Sequence, residues 1–530
     1  MSCLYERFRL IAQQFHDKTA LIDGDECYTY GQLLSLVELW CKQILLICQT
    51  QRPRVALLTD SLLHSFTVSV AIAKLDGACI PTNAQMLAPQ LLAGWNATDV
   101  NLVVYDRSVS AKVHSLALPF GIIATDALTI PTGNIPANHN TYVNNIEFTQ
   151  DDCHASEAFN SLVQDAIDND FLITLSSGST GDPKPIVVSQ SVKLARAQQT
   201  WDLYHLTSDD VVLCASPFFH SLGQRLSFVP LLLGATLVRL APFTPKQWLV
   251  LVEQHAVSFV ISVSSHLYAL KDELLDNAIA LKSLKTIVTS SAPIDAAFKE
   301  KIFDAIGCDF HEIYGATEIA VATNLAPCDA KFKFNTVGYP CEAIDVQILN
   351  SNLCVCGINE VGEIAVRSPL AFSGYYHKPE LTLAAWHGDY FLTGDLGKLD
   401  SEGFLTYVGR KKDVIISGGI NIYPKDIEAV LSTHERVLEV AVIGVDDQLL
   451  GEVIVAICIV KDADRLEPQL RALTNRSLAP FQRPLKYFFP EKLPLTATGK
   501  LSKKLLREQY NSLNNGWTAV LETMLYGRKG

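Results

Sequence analysis

Along the first half of the chain, apolar residues recur at helical spacing in some stretches and run together in others, and the two kinds alternate. Residues 4–15 and 30–47 carry apolar side chains three and four positions apart, which is one face of a helix. Between them, residues 19–29 hold two short extended runs around Asp23, Gly24 and Asp25. The runs at 54–59 and 101–105 read as buried strands, and the small residues of 71–81 allow a helix to pack closely before another strand. A polar, weakly periodic stretch over 106–165 reads as a meandering connection. The alternation then resumes with helix 193–201, strand 210–215, helix 223–232, strands 235–240 and 257–263, a helix near 266–275 and strand 286–290. Apolar strands separated by amphipathic helices predict a parallel sheet covered by helices, an α/β fold.

From about Val337 the rhythm shortens to extended segments punctuated by glycine, such as 346–349 and 362–367, which predicts a β-rich subdomain over about 337–409. A second change comes at Gly409, Arg410, Lys411, Lys412 and Asp413, a charged group between two apolar strands. Beyond it, helix 424–432, strands 437–445 and 452–460 and a terminal helix from Leu501 make a small α+β unit. The domain boundary is therefore expected at that charged group.

Composition adds bounds. A chain of 530 residues exceeds the size at which one core stops growing, so at least two domains are expected. Hydrophobic residues at 48% and charged residues at 19% describe a chain with ample core. The net charge of −13, from 43 basic and 56 acidic residues, argues against nucleic-acid binding, so an anionic ligand has to be met by individually placed groups. The 13 cysteines are scattered without zinc-like spacing and read as reduced thiols. With neither a signal-like N-terminus nor about 18 consecutive apolar residues, the expected setting is cytoplasmic, without an integral membrane segment.

The candidate chemistry centres on Leu-Ser-Ser-Gly-Ser-Thr-Gly-Asp-Pro-Lys at 175–184. Hydroxyl residues and glycines between a strand and a basic residue can turn several N–H groups toward one point, a cradle for phosphate. It is not a Walker loop, because Lys184 lies between Pro183 and Pro185 where that motif needs a helix. Four further stretches bear on the same chemistry: 290–293 with 314–318, 390–395, 409–424 and 494–500.

Together, in this order, these stretches closely resemble the adenylate-forming superfamily of acyl- and aryl-CoA synthetases, luciferases and peptide-synthetase adenylation domains, over residues 20–507. The resemblance implies a large N-terminal domain of stacked α/β sheets over 1–409, a hinge at 410–412 and a small mobile α+β lid over 413–530. It implies activation of a carboxylic acid by ATP to acyl-AMP, then transfer to the thiol of coenzyme A or to the phosphopantetheine of a separate acyl carrier protein. ATP would be held by Ser176, Ser177, Gly178, Ser179, Thr180, Gly181 and Lys184, with Ser291, Ala292, Pro293 and Gly315 also binding the cofactor and Tyr314 offering a flat face to the adenine. Thr317 would contact the α-phosphate, Glu318 would hold Mg²⁺, and Asp395 and Arg410 would bind the ribose. Lys412 matches the hinge position, Gly418 and Gly419 the pantetheine passage, His220 a gate beside the carboxylate, and Lys500 the lid cation that joins carboxylate and phosphate. Residues 217–223 lack the aspartate that anchors an amino group in amino-acid-activating relatives, and Phe218 and Phe219 point to an apolar or aromatic acid. Gln190 departs from the histidine common at its position, and Arg225 is expected on a helix surface.

Overall fold

The computed structural model describes residues 3–48, 50, 52–127, 169–177, 183–276, 281–290, 294, 296–305, 307–447, 450–495 and 501–513. The chain divides into two compact units, Met1–Phe334 with Cys341–Ile344 and Ser368–Ala385, and Asn335–Pro340 with Asp345–Arg367 and Trp386–Gly530.

The first unit is built on two mostly parallel sheets. In one, strands Leu102–Tyr105 and Ala78–Pro81 flank Arg54–Leu58, all parallel, and Gly121–Ala124 extends the edge beside Leu102–Tyr105. That last strand lies in the stretch expected to meander. The same sheet continues through Asp170–Ser177 into the antiparallel strands Pro183–Ser189 and Gly374–Tyr375. In the second sheet, Asp309–Ala316, Thr286–Ser290, Phe259–Val263, Val211–Cys214, Thr236–Arg239 and Thr19–Asp23 run parallel in that order. Ala320–Leu325 and Glu26–Thr29 pair antiparallel with Asp309–Ala316 and Thr19–Asp23.

Local chemistry explains the elements. Helix Tyr30–Ile47 starts at Thr29, whose hydroxyl accepts from Gln32 N at 3.2 Å while Gln32 Oε1 accepts from Thr29 N at 2.8 Å, a reciprocal capping box. Leu33, Leu36, Val37, Trp40 and Ile44 of this helix are buried, one face at helical spacing. Gln190 is buried too: its side chain donates to Ala73 O at 3.0 Å and accepts from Leu4 N at 3.4 Å.

The second unit holds two mainly antiparallel sheets, with Lys486–Phe488 joining Gly451–Val460 of one of them in parallel. The first carries Asp345–Leu349, Gly362–Arg367, Tyr390–Leu399 and Leu405–Arg410. The second is centred on the long pair Val437–Asp447 and Gly451–Val460. Val442, Ile454 and Ala456 face Ile427 and Leu431 of helix Pro424–Ser432 and Leu466 and Leu470 of helix Leu466–Ser477. Ile443, Val445 and Val455 face Leu506 and Tyr510 of helix Lys503–Asn511. Both faces of this sheet are covered because its apolar residues do not alternate with polar ones. Among the described residues no helix is long and apolar enough to cross a membrane, and every cysteine is free.

Candidate functional site

Strands Asp170–Ser177 and Pro183–Ser189 pair antiparallel, with Ser176 opposite Lys184 and Ser177 opposite Pro183. The glycine-hydroxyl segment therefore links two adjacent strands, which separates it from a strand-to-helix Walker loop. Gly178, Ser179, Thr180 and Gly181 themselves lie outside the described residues, as do Ser291, Ala292, Pro293 and Lys500.

Lys184 leads out of that segment, and its Nζ stands 5.5 Å from the ring centroid of Tyr375, a cation held over an aromatic face. The Tyr375 hydroxyl donates to Glu318 Oε1 at 3.0 Å. Burial, and next the neighbouring Glu318 carboxylate, push the Tyr375 hydroxyl well above the usual tyrosine range, so it remains a donor.

Thr317 and Glu318 occupy the tight turn between Asp309–Ala316 and Ala320–Leu325, where a bulge falls between Tyr314 and Gly315. Gly315 is required there, because a Cβ would lie 2.0 Å from Ala320 O. Tyr314 is buried. The Thr317 hydroxyl donates to Ser221 Oγ at 3.3 Å, which brings the segment that follows His220 against the same turn. His220 itself is half-buried with its ring 4.4 Å from Phe219. Lys184, Glu318, Thr317 and the first residues of helix Ser221–Leu231 thus gather in one place: a cation, a carboxylate and hydroxyls, a set suited to phosphate oxygens and a divalent cation.

Two side chains that hold this turn belong to no motif and went unnoticed in the sequence. One is Tyr375. The other is Arg196 of helix Gln190–Tyr204, whose guanidinium donates to Thr317 O at 3.0 Å, to Glu318 O at 3.1 Å and twice to Leu370 O, at 2.9 and 2.8 Å. Burial lowers its pKa to about 10, with Glu318 working in the other direction, so the side chain stays charged at neutral pH. A single arginine set six residues after Gln190 gives no sequence signal that it reaches three carbonyls. Arg196→Ala is expected to lower the unfolding free energy by about 3 kcal/mol in a urea titration, because carbonyls lose charged donors inside the fold.

Other expectations are adjusted. Phe218 is buried against Phe228 at 6.0 Å between centroids, which makes it a core residue, and Arg225 donates to Thr200 Oγ1 at 3.1 Å between two helices.

The second unit holds the remaining residues. Asp395 is 3% exposed and lies within the long strand Tyr390–Leu399, directly opposite Arg410, whose Nε is 2.9 Å from its Oδ1. A surface pair would leave both partners wet; here the carboxylate is buried and only the arginine is open to solvent. Thr393 Oγ1 accepts from Asp395 N at 3.1 Å and Glu363 Oε1 accepts from Gly394 N at 3.1 Å, fixing the backbone on each side. Burial and then Asp395 raise the Tyr407 hydroxyl well above its usual range. Gly418 and Gly419 form the two-residue turn of the hairpin Ile415–Ser417 with Ile420–Ile422, at φ of 58° and 80°, a conformation that other residues rarely adopt. The Lys412 carbonyl accepts from Arg507 Nη1 at 3.1 Å.

Residues 8–376 match the AMP-binding enzyme family, and residues 426–500 match the AMP-binding enzyme C-terminal domain. The chain belongs to the AMP-binding enzyme family. Within that family it is 29% identical to the indoleacetate–CoA ligase of Aromatoleum aromaticum, over 93% of this chain and 95% of that one. It is 30% identical to a long-chain-fatty-acid–CoA ligase of Bacillus subtilis, aligning with 64% of this chain and 61% of that protein. The crystal structure of ATP-bound MatB from Rhodopseudomonas palustris superposes with a TM-score of 0.82, at 23% identity over 96% of this chain and 99% of that one. This AMP-binding enzyme therefore has the adenylate-forming fold expected from its motifs.

Proposed function

We propose that the chain is an AMP-forming acid–thiol ligase that activates a carboxylic acid with ATP and passes the acyl group to coenzyme A. In the first step a carboxylate oxygen attacks the α-phosphorus, the bond to the bridging oxygen breaks, and pyrophosphate leaves. In the second a thiol attacks the acyl carbon and AMP leaves with the electron pair. The relatives are named for CoA ligation, which favours coenzyme A over a separate carrier protein as acceptor.

The observation that carries the reading is the grouping of Lys184, Thr317 and Glu318, with Tyr375 touching two of them, beside the segment of His220. Two anions have to approach in the first step, and positive charge and hydroxyl donors aimed at the phosphate offset their repulsion. Glu318 suits Mg²⁺: Oε1 takes the Tyr375 hydroxyl, and Oε2 has no hydrogen bond among the described residues. No group of three or more histidine, cysteine, aspartate or glutamate side chains among those residues could hold a metal by itself, so phosphate oxygens and water would complete its shell. When bound, Mg²⁺ would neutralise charge on the triphosphate.

Asp395 takes the ribose hydroxyls, Tyr314 and Gly315 lie by the adenine, Lys500 bridges the carboxylate and α-phosphate, and Gly418 and Gly419 border the pantetheine passage. The hinge lies at 410–412. On one side of it Arg410 pairs with Asp395 and Lys411 with Glu363 at 2.7 Å; on the other Asp413 pairs with Arg507 at 3.3 Å. The bonds that hold the chain thus change partners within this short segment. With Phe219 and His220 at the head of helix Ser221–Leu231, the acid is apolar or aromatic.

The test is a panel of aryl, medium-chain and long-chain acids with ATP, Mg²⁺ and coenzyme A, followed by pyrophosphate release and thioester mass. Several aryl or aliphatic acids are expected to give both products in equal amount. Pyrophosphate without CoA thioester would move the acceptor to another thiol, and no pyrophosphate from any acid would remove the reading.

A further inference from the structure

Tyr375 lies in a strand of two residues that no motif singles out, yet it touches both charged groups of the phosphate site. Its hydroxyl donates to Glu318 Oε1 at 3.0 Å, and its ring centroid lies 5.5 Å from Lys184 Nζ. The ring is 6% exposed and meets Phe372 edge-on at 4.9 Å. Its backbone is equally fixed. Tyr375 pairs with Ile186, two residues beyond Lys184, and Ser373 N and Tyr376 N donate to Val187 O and Pro185 O, each at 2.9 Å. Tyr375 N donates to Thr382 Oγ1 at 2.9 Å.

The main chain of Glu318 is held from the other side, its carbonyl accepting from Phe372 N at 2.6 Å and from Arg196. What Arg196 and Phe372 leave undetermined is the carboxylate, which three side-chain torsions separate from the backbone. A hydroxyl on a buried, strand-anchored ring removes that freedom and does so from the strand paired with the one that carries Lys184.

We propose that Tyr375 is a positioning residue for the divalent cation. It holds one oxygen of Glu318 so that the other faces the metal carried by ATP, and it keeps that carboxylate in fixed register with Lys184. This rests on the reading of Glu318 as the metal-binding carboxylate. Hydrogen-bond partners behind a metal ligand set its orientation, and losing one typically weakens metal affinity by about ten- to a hundredfold.

Tyr375→Phe keeps the ring, its packing and the cation over its face, and removes only the hydroxyl. Mn²⁺ is titrated by electron paramagnetic resonance into the full chain saturated with α,β-methylene-ATP, with Glu318→Gln measured beside it; no acid substrate is needed. Tyr375→Phe is expected to weaken Mn²⁺ binding about tenfold, to leave metal-free nucleotide binding within about twofold, and to share its defect with Glu318→Gln. If Glu318→Gln weakens Mn²⁺ binding and Tyr375→Phe does not, the positioning role is overturned and the reading of Glu318 stands. If Glu318→Gln binds Mn²⁺ like the wild type, the reading of Glu318 fails and this inference fails with it. Equal loss of metal-free nucleotide binding in Tyr375→Phe would make the residue a support of the whole pocket and overturn the specific role.

Discussion

Lys500→Ala is expected to slow acyl-adenylate formation by about 10²–10³-fold, the usual cost of removing one charged donor aimed at a developing transition-state charge. Thioester formation from supplied acyl-adenylate is expected to stay within about twofold of the wild type. Burst measurements of pyrophosphate release and of thioester formation, made separately, read the two steps. The asymmetry follows from the chemistry. In the first step two anions meet, and an ammonium on a long flexible stem offsets charge on both at once. In the second step the electrophile is already a mixed anhydride of the acid and AMP, and its neutral acyl carbon is attacked. The ends of the segment that contains Lys500 are tied together: Leu495 and Leu501 form an antiparallel bridge, and Ser502 N donates to Pro494 O at 2.9 Å. Alanine at 500 leaves both ties in place, so the loss is one of charge. Equal slowing of both steps would remove the assignment of Lys500 to adenylation alone.

Asp395→Asn is the second large effect expected, a rise of about ten- to a hundredfold in KM for ATP with unfolding free energy changed by about 1 kcal/mol or less. A carboxylate that accepts from both ribose hydroxyls makes two charge-assisted bonds, each stronger than its neutral counterpart by roughly twofold. Asparagine keeps the volume and the backbone N–H to Thr393, but it loses the charge and turns one acceptor into a donor. Stability changes little because the partner left behind, Arg410, is half exposed and rehydrates. A wild-type KM together with a wild-type melting curve would disqualify Asp395 as the ribose ligand.

Much of the fold was legible because local pattern and local chemistry agree. The apolar runs at 54–58, 211–214 and 236–239 are strands, and the helix from Tyr30 to Ile47 begins at a capping box spelled out by Thr29 and Gln32. The strand Gly121–Ala124 was missed because four residues carry too little periodicity to stand out. In the candidate site, Thr317 and Glu318 were singled out by the family resemblance, because they belong to a contiguous motif stretch, 314–318. Arg196 and Tyr375 were not. Each acts across more than fifty residues of chain, through hydrogen bonds to Glu318 that no spacing rule anticipates.

The chain by itself determined which segments would be strands or helices and the family they belong to, because each depends on neighbours a few residues away. Tertiary structure alone decided the company these segments keep. Thr19–Asp23 lies far along the chain from Thr236–Arg239 yet pairs with it in parallel, while Arg54–Leu58, much closer, joins the other sheet. An apolar strand satisfies its hydrogen bonds and buries its faces in either sheet, so its local pattern is the same in both. Only the folded arrangement of the remaining strands and helices selects the partner, and it is this selection that sets Tyr375 beside Glu318.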